Sequence, residues 1–188
     1  VETVGNVTVE LEKNLTALET FFPGLADKIR QTEITENTLV FITEGGDINI
    51  AHEYKPCHSL DDPFQEALSK FNEDIPEEAK EDDGCVYFLF GLGIGYLLRR
   101  LYVETKGFII VFEPNIELLR QTLELVDFSE EIASGRVRII VRKEDISAVF
   151  GSTHIINASN TMWALCIVNN DGFPWNANSF RDTFLYLF

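Results

Sequence analysis

The chain has 188 residues, 45% of them hydrophobic, and a formal net charge of −16. That length and apolar content suffice for a packed core and exclude a disordered chain. The strong negative charge argues against a nucleic-acid backbone or an anionic membrane surface as a partner. No apolar run approaches the roughly 20 residues that cross a bilayer. The three cysteines are widely spaced and form no CxxC motif, so we expect a globular protein of the reducing cytoplasm.

Residues 1–72 are predicted to form helices and one β-hairpin. Apolar residues repeat at intervals of three and four before Pro23, and Gly45-Gly46-Asp47 separates two apolar runs in the manner of a hairpin turn. Asp61-Asp62-Pro63 is a helix start. In chain order, the predicted elements are helices over 10–22 and 25–31, strands over 39–42 and 48–50, and a helix over 61–71.

Residues 73–83, EDIPEEAKEDD, contain seven acidic residues and one lysine. Such a run is typical of a solvated connector. We therefore predict an acidic linker over 73–84 between the N-terminal part and a second domain over 85–188.

Residues 85–188 alternate apolar runs with helical patterns. CVYFLF (85–90) is continuously apolar, as expected for a strand buried on both faces of a parallel sheet. The alternation predicts a Rossmann-like, methyltransferase-like α/β fold with helices on both faces of the sheet. The predicted strands are 85–90, 107–114, 137–141 and 162–168, and the predicted helices are 94–105, 115–126, 129–134 and 143–150.

The first of these strands ends in a glycine-rich loop, with Gly91, Gly93 and Gly95 placed directly before a helix. Glycine weakens a fold by roughly 0.5–1 kcal/mol relative to alanine, so three together require a reason, such as close approach of a ligand to the backbone. Glu113 lies 20 residues after Gly93, at the end of the next strand, where a carboxylate can bind ribose hydroxyls. The pattern GxGxG lacks the third glycine of a dinucleotide fingerprint, and it favours a nucleotide or an S-adenosylmethionine-like ligand. Alternatively, Glu113 only caps the helix that follows.

Other residues are weaker candidates. Tyr96, Arg142, Asn169 and Asn170 are placed at the same predicted sheet edge and could line a pocket, although a solvated surface pair explains Arg142-Lys143 better and a turn explains 169–175 better. His52, His58 and His154 have no metal-ligand spacing, so no metal site is predicted and loop or surface positions are expected. No catalytic arrangement can be assigned.

Three stretches, FLFGLGIGYLLRRL, IIVFEPNIELLRQTLE and RVRIIV, resemble the amino-terminal region of the motility accessory factor (Maf) family of flagellin glycosyltransferases. Upstream, NLTALETFFPGLADKI, GGDINI and EYKPCHSLDDPFQEAL agree with it. The resemblance implies a bacterial, modular protein, whose central domain transfers a nonulosonic acid to flagellin. It implies that this chain is the Rossmann-like domain before the catalytic one, and that flagellin is a partner. It carries over no catalytic residue, and the acidic run at 73–83 departs from the family pattern.

Three functions remain open from the sequence. The chain is an accessory, nucleotide-binding domain of a flagellin-modifying glycosyltransferase, an S-adenosylmethionine-dependent methyltransferase, or a pure interaction module with a collapsed pocket. The methyltransferase alternative rests on GLGIG and Glu113, but RKED (142–145) is a poor match to an adenine-binding stretch. The oligomeric state cannot be assigned. The apolar pattern at the C-terminus leads us to expect that a larger protein continues beyond Phe188.

Overall fold

The structure is a computed structural model that describes residues 3–4, 7–145, 149 and 161–165. Its strands are β1 (Thr3–Val4), β2 (Val7–Thr8), β3 (Thr38–Ile42), β4 (Ile48–His52), β5 (Lys55–Pro56), β6 (Val86–Phe90), β7 (Phe108–Phe112), β8 (Val137–Ile140) and β9 (Thr161–Leu165). Its helices are α1 (Val9–Glu19), α2 (Pro23–Gln31), α3 (Pro63–Asp74), α4 (Glu77–Lys80), α5 (Tyr96–Glu104), α6 (Ile116–Leu125) and α7 (Ser129–Ala133), with a 3₁₀ turn at Lys143–Asp145.

A parallel sheet with the order β8-β7-β6-β9, four strands within the described residues, organises the molecule. Every residue of β6 and of β7 is buried, which explains why both strands are continuous apolar runs in the sequence. Helix α5 connects β6 to β7, and α6 and α7 connect β7 to β8. The predicted α/β fold with a parallel sheet flanked by helices is therefore confirmed.

The two faces of the sheet pack against different residues. Successive residues of a strand point to opposite faces, so each strand contributes to both. Tyr87 and Leu89 lie on the face that packs against α1, α3, α5 and α6 in one large hydrophobic core. Phe88 and Phe90 lie on the other face, in a smaller core that includes Phe22 and Val149. The predicted helix over 143–150 is described at 143–145, which form a 3₁₀ turn, and at Val149, and its other residues lie outside the described part of the chain.

The N-terminal part supplies one face of the large core and adds a second sheet. Strands β3, β4 and β5 form an antiparallel sheet in that order, so the predicted hairpin is present. Helix α3 begins where predicted, since the Asp62 carboxylate accepts a hydrogen bond from the Gln65 amide at 2.8 Å. Within the described residues, no helix combines the length and apolar character that a membrane crossing requires.

Residues 73–84 include the end of α3 and the whole of α4. Ile75 and Ala79 in this segment are buried in the large core. The Tyr87 hydroxyl of β6 donates a hydrogen bond to the Ala79 carbonyl at 2.5 Å, which fixes the segment against the sheet. The division of the chain into 1–72, 73–84 and 85–188 stays a prediction.

Candidate functional site: the glycine loop

The loop between β6 and α5 adopts backbone angles that favour glycine. Gly91, Gly93 and Gly95 have φ angles of +82°, +52° and +88°, all in the left-handed region. Gly95 is also the N-cap residue of α5. The strand, loop and helix thus follow one another as the sequence predicts.

Glu113 follows β7 and lies beside this loop at the carboxyl ends of the strands. Its Oε2 accepts a hydrogen bond from the Leu92 amide at 3.0 Å, and its Oε1 accepts one from the Asn115 amide at 3.0 Å. Asn115 is the N-cap of α6, so the carboxylate joins the glycine loop to the start of that helix. Both oxygens of Glu113 are therefore engaged with the protein's own backbone.

Glu113 is buried, at 1% exposed. Burial disfavours its charged form and raises its pKa to about 7, although the amides of Leu92 and Asn115 act in the opposite direction. Because a carboxyl group with this pKa can exchange protons near neutral pH, the loop is the strongest candidate for a functional site in the described chain.

His58 occupies the space beside Gly93. A Cβ atom at position 93 would lie 2.2 Å from His58 Nε2. The same Nε2 accepts a hydrogen bond from the Ile94 amide at 2.8 Å, which places the proton of the neutral ring on Nδ1, facing Glu66 at 3.8 Å. The imidazole packs edge-on against Tyr96, with ring centroids 5.3 Å apart. His58 thus lies in a loop, as expected, but it is buried there, at 3% exposed.

Phe128 occupies the space beside Gly95 in the same way. A Cβ atom at position 95 would lie 2.2 Å from Phe128 Cζ. The Phe128 ring is fully buried, and its amide donates a hydrogen bond to Asn14 Oδ1 at 2.7 Å. The Asn14 side chain also donates to the carbonyls of Leu123 and Val126, at 2.9 and 2.7 Å. Helix α1 therefore holds Phe128 in position against the loop.

Four of the amides in the loop are also used inside the protein. The Gly91 amide donates to the Phe112 carbonyl, and the Gly95 amide donates to the Leu92 carbonyl. The Leu92 amide donates to Glu113, and the Ile94 amide donates to His58. The Gly93 carbonyl accepts a hydrogen bond from the Thr122 hydroxyl at 2.6 Å. A ligand that approached the backbone from the Cβ side would meet His58 at Gly93 and Phe128 at Gly95. The assignment of Gly91, Gly93, Gly95 and Glu113 to ligand binding stays a prediction.

The remaining predicted pocket residues are placed as follows. The Tyr96 hydroxyl donates to the Ile48 carbonyl at 2.8 Å, which ties α5 to the hairpin sheet. Arg142 follows β8 at the predicted edge, and its side chain is exposed and paired with Asp145 at 2.6 Å. Asn169 and Asn170 lie outside the described residues. Tyr96 is therefore beside the loop, whereas Arg142 is engaged with its own 3₁₀ turn.

Cys57 adds no reactive thiol to this site. It is 4% exposed, and burial together with the nearby charge of Glu113 raises its pKa to about 12. Among the described residues, no group of three or more His, Cys, Asp or Glu could hold a metal ion. The sequence reasoning missed His58 and Phe128, and no local pattern around either residue could have indicated its contact with the loop.

The fold and the loop together define a Rossmann-like α/β protein in which the protein's own side chains fill the space beside Gly93 and Gly95. No family model matches the chain, and no curated protein matches it either. The chain is structurally similar to the MAf glycosyltransferase from Magnetospirillum magneticum AMB-1, with a TM-score of 0.64 and 16% sequence identity. The match covers 94% of this chain and 34% of that one. At this identity the similarity shows a shared fold, and the chain spans about a third of the Magnetospirillum protein.

A second solved structure, MNMC2 from Aquifex aeolicus, matches with a TM-score of 0.41 and 19% identity, over 72% of this chain and 54% of that one.

Proposed function

We propose that this chain is an accessory domain of a Maf-like glycosyltransferase that modifies flagellin with a nonulosonic acid, and that its glycine loop holds the fold together. The observation that supports a structural role for the loop is that His58 and Phe128 fill the space beside Gly93 and Gly95. The shared fold with the Magnetospirillum glycosyltransferase over 94% of the chain supports the assignment to such an enzyme. The resemblance of the sequence to the Maf family supports flagellin as the acceptor.

The loop contacts favour an accessory role over a methyltransferase. A methyltransferase needs open space at the loop for its methyl donor, and it needs loop amides and an acidic side chain that are free to bind it. Here Glu113 accepts from Leu92, and His58 accepts from Ile94. The proposed role requires neither an open pocket nor a free carboxylate.

Ligand binding tests the loop. The chain is heated with about 1 mM S-adenosylmethionine, S-adenosylhomocysteine, CMP, ATP or NAD, and its melting temperature is recorded. A ligand with a Kd a hundred times lower would stabilise the chain by about 2.7 kcal/mol, which is readily detected. We expect no shift with any of them. Stabilisation by S-adenosylmethionine that is lost in Glu113→Gln would overturn the proposal in favour of a methyltransferase.

A chimera tests the assignment to a glycosyltransferase. This chain replaces the structurally equivalent third of the Magnetospirillum enzyme, and sugar transfer by the chimera is compared with that of the parent. We expect the folded chimera to retain transfer, whereas the chain alone gives none. A folded chimera without activity, or transfer by the chain alone, would contradict the accessory role.

A further inference from the structure

Strand β3 is an edge strand without the usual protection. Among the described residues it pairs only with β4, on one side, in the order β3-β4-β5. Its sequence, TLVFI, contains no charged residue and no proline, and its pairing with β4 runs without a bulge from Thr38 to Ile42. Natural edge strands usually carry Lys, Pro or a bulge to prevent pairing with another chain. None of these features is present in β3, so within the described part of the chain its outer side is open to pairing.

The register identifies the backbone groups that face outward. The Asn37 carbonyl accepts from the Glu53 amide at 2.9 Å, and the Thr43 amide donates to the Asp47 carbonyl at 2.8 Å. In an antiparallel pair the hydrogen-bonded positions alternate, so odd-numbered residues of β3 face β4 and even-numbered ones face outward. Within the described part of the chain, the amides and carbonyls of Val40 and Ile42 have no partner. They form a short row of free donors and acceptors.

Apolar side chains surround this row. Leu39, Val40 and Ile42 are 46%, 40% and 62% exposed, although each is of a type that is normally buried. Contiguous exposed apolar residues on a strand edge are typical of a surface that another strand covers.

The charge around β3 defines what kind of strand fits. Residues 33–47 contain Glu33, Glu36, Glu44 and Asp47 but no Lys or Arg. Glu33, Glu36 and Glu44 are exposed, and in the described structure none of them forms an ion pair. A second copy of this chain paired antiparallel on β3 would bring Glu36 of one copy near Glu44 of the other, and like charges in that arrangement repel. A strand flanked by basic residues complements both ends.

We propose that the outer edge of β3 binds an extended segment of a partner polypeptide, with alternating apolar residues flanked by Lys or Arg. The segment adds a strand to the β3-β4-β5 sheet. Its backbone pairs with the amides and carbonyls of Val40 and Ile42, its apolar residues cover the exposed side chains of β3, and its basic ends face Glu36 and Glu44. This surface is separate from the glycine loop, so its test is independent of the proposed function.

A synthetic peptide serves as the probe. It carries valines alternating with threonines and has two lysines at each end, and its binding to the full chain is followed by residue-resolved amide exchange. We expect the Val40 and Ile42 amides to become protected on binding, since only these change partners, while the Leu39 and Phe41 amides, already bonded to β4, change little. A peptide with proline in place of the central valine, and one with glutamates in place of the lysines, are expected to bind at least about tenfold more weakly.

Variants locate the site. Val40→Pro removes one outward amide without breaking a bond to β4, and Ile42→Lys places a charge on the edge. Both are expected to weaken peptide binding about tenfold or more, whereas Val103→Lys, on the exposed side of α5, leaves it unchanged. The double variant Glu36→Lys with Glu44→Lys is expected to bind the glutamate-flanked peptide more tightly than the lysine-flanked one.

Three results would overturn the proposal. The first is absence of binding by the lysine-flanked peptide at millimolar concentration to wild-type protein whose amide spectrum shows a folded β3. The second is equal weakening by Val103→Lys. The third is dimerisation through β3, seen in sedimentation velocity as a dimer that Ile42→Lys dissolves, because a second copy would then be the partner.

Discussion

Replacement of Gly93 by alanine tests whether the glycine loop is built around the protein's own side chains. The new methyl group would lie 2.2 Å from His58 Nε2, and the φ angle of +52° is one that alanine rarely adopts. His58 would have to leave its position. The Ile94 amide would then lose its acceptor in a buried environment.

The expected loss of stability has two parts. The left-handed backbone conformation costs an alanine about 1–2 kcal/mol. Displacement of His58 and loss of its hydrogen bond cost about 2–3 kcal/mol more, because a buried amide remains without a partner. We therefore expect Gly93→Ala to lower the free energy of unfolding by about 3–5 kcal/mol, a large part of the 5–15 kcal/mol that is typical of a domain.

Two other glycines separate these contributions. Gly46 has a φ angle of +92°, but no atom lies within 4 Å of the place that an added methyl group would take, so Gly46→Ala reports the backbone cost alone, about 1–2 kcal/mol. Gly24 has neither a positive φ angle nor a nearby atom, and Gly24→Ala, within α2, should be neutral or stabilising by up to about 1 kcal/mol. Urea unfolding of the three variants and wild type, without ligand, gives the comparison.

The double variant His58→Ala with Gly93→Ala completes the test. If His58 is the obstacle, its removal makes the alanine at position 93 less costly, and the double variant is more stable than the sum of the two single changes predicts. A Gly93→Ala variant as stable as Gly46→Ala, or a double variant with purely additive losses, would refute the conclusion that the loop is shaped by His58.

Three further predictions concern buried polar groups near the loop. The pKa of Glu113 is about 7 in the folded chain and near 4.5 in the unfolded chain, so between these pH values the folded chain binds more protons. The free energy of unfolding of wild type, relative to that of Glu113→Gln, should therefore fall by about 3 kcal/mol as the pH rises from 4.5 to 7.5 in urea titrations. A pH-independent difference would contradict this. Asn14→Ala removes the three hydrogen bonds of a buried side chain and should cost about 2–4 kcal/mol, against about 0.5 kcal/mol or less for exposed Asn37→Ala. Since its pKa is raised to about 12, the Cys57 thiol should resist iodoacetamide at pH 8 until urea is added, as mass spectrometry of its peptide would reveal; rapid native labelling would disprove its burial.

The central sheet could be predicted because its signal is local. The predicted strands 85–90 and 107–114 contain the uninterrupted apolar runs CVYFLF (85–90) and FIIVF (108–112), and the structure places β6 and β7 within those runs. Such runs arise when both faces of a strand are covered, which is the situation in a parallel sheet. The N-terminal hairpin was equally predictable, since two glycines and an aspartate separate its strands.

The filling of the candidate site could not be predicted in this way. The sequence correctly indicates a strand, a glycine loop and a helix, and it places Glu113 beside them. His58 precedes Gly93 by 35 positions, and Phe128 follows Gly95 by 33, so their contacts with the loop depend on how the hairpin and α1 pack on the sheet. The packing of the acidic segment 73–84 could not be predicted either. Its many charges indicate an exposed connector, yet Ile75 and Ala79 within it are buried in the core.

The pairing of His58 with Gly93 and of Phe128 with Gly95 has a consequence for other chains of this fold. A glycine at such a position shows only that another group lies very close to the backbone. An aromatic ring of the protein itself requires a glycine there just as a bound metabolite does. Two chains with identical glycine spacing can therefore differ completely in whether they hold a small molecule. The distinguishing information lies in distant residues that arrive at the loop from elsewhere in the fold.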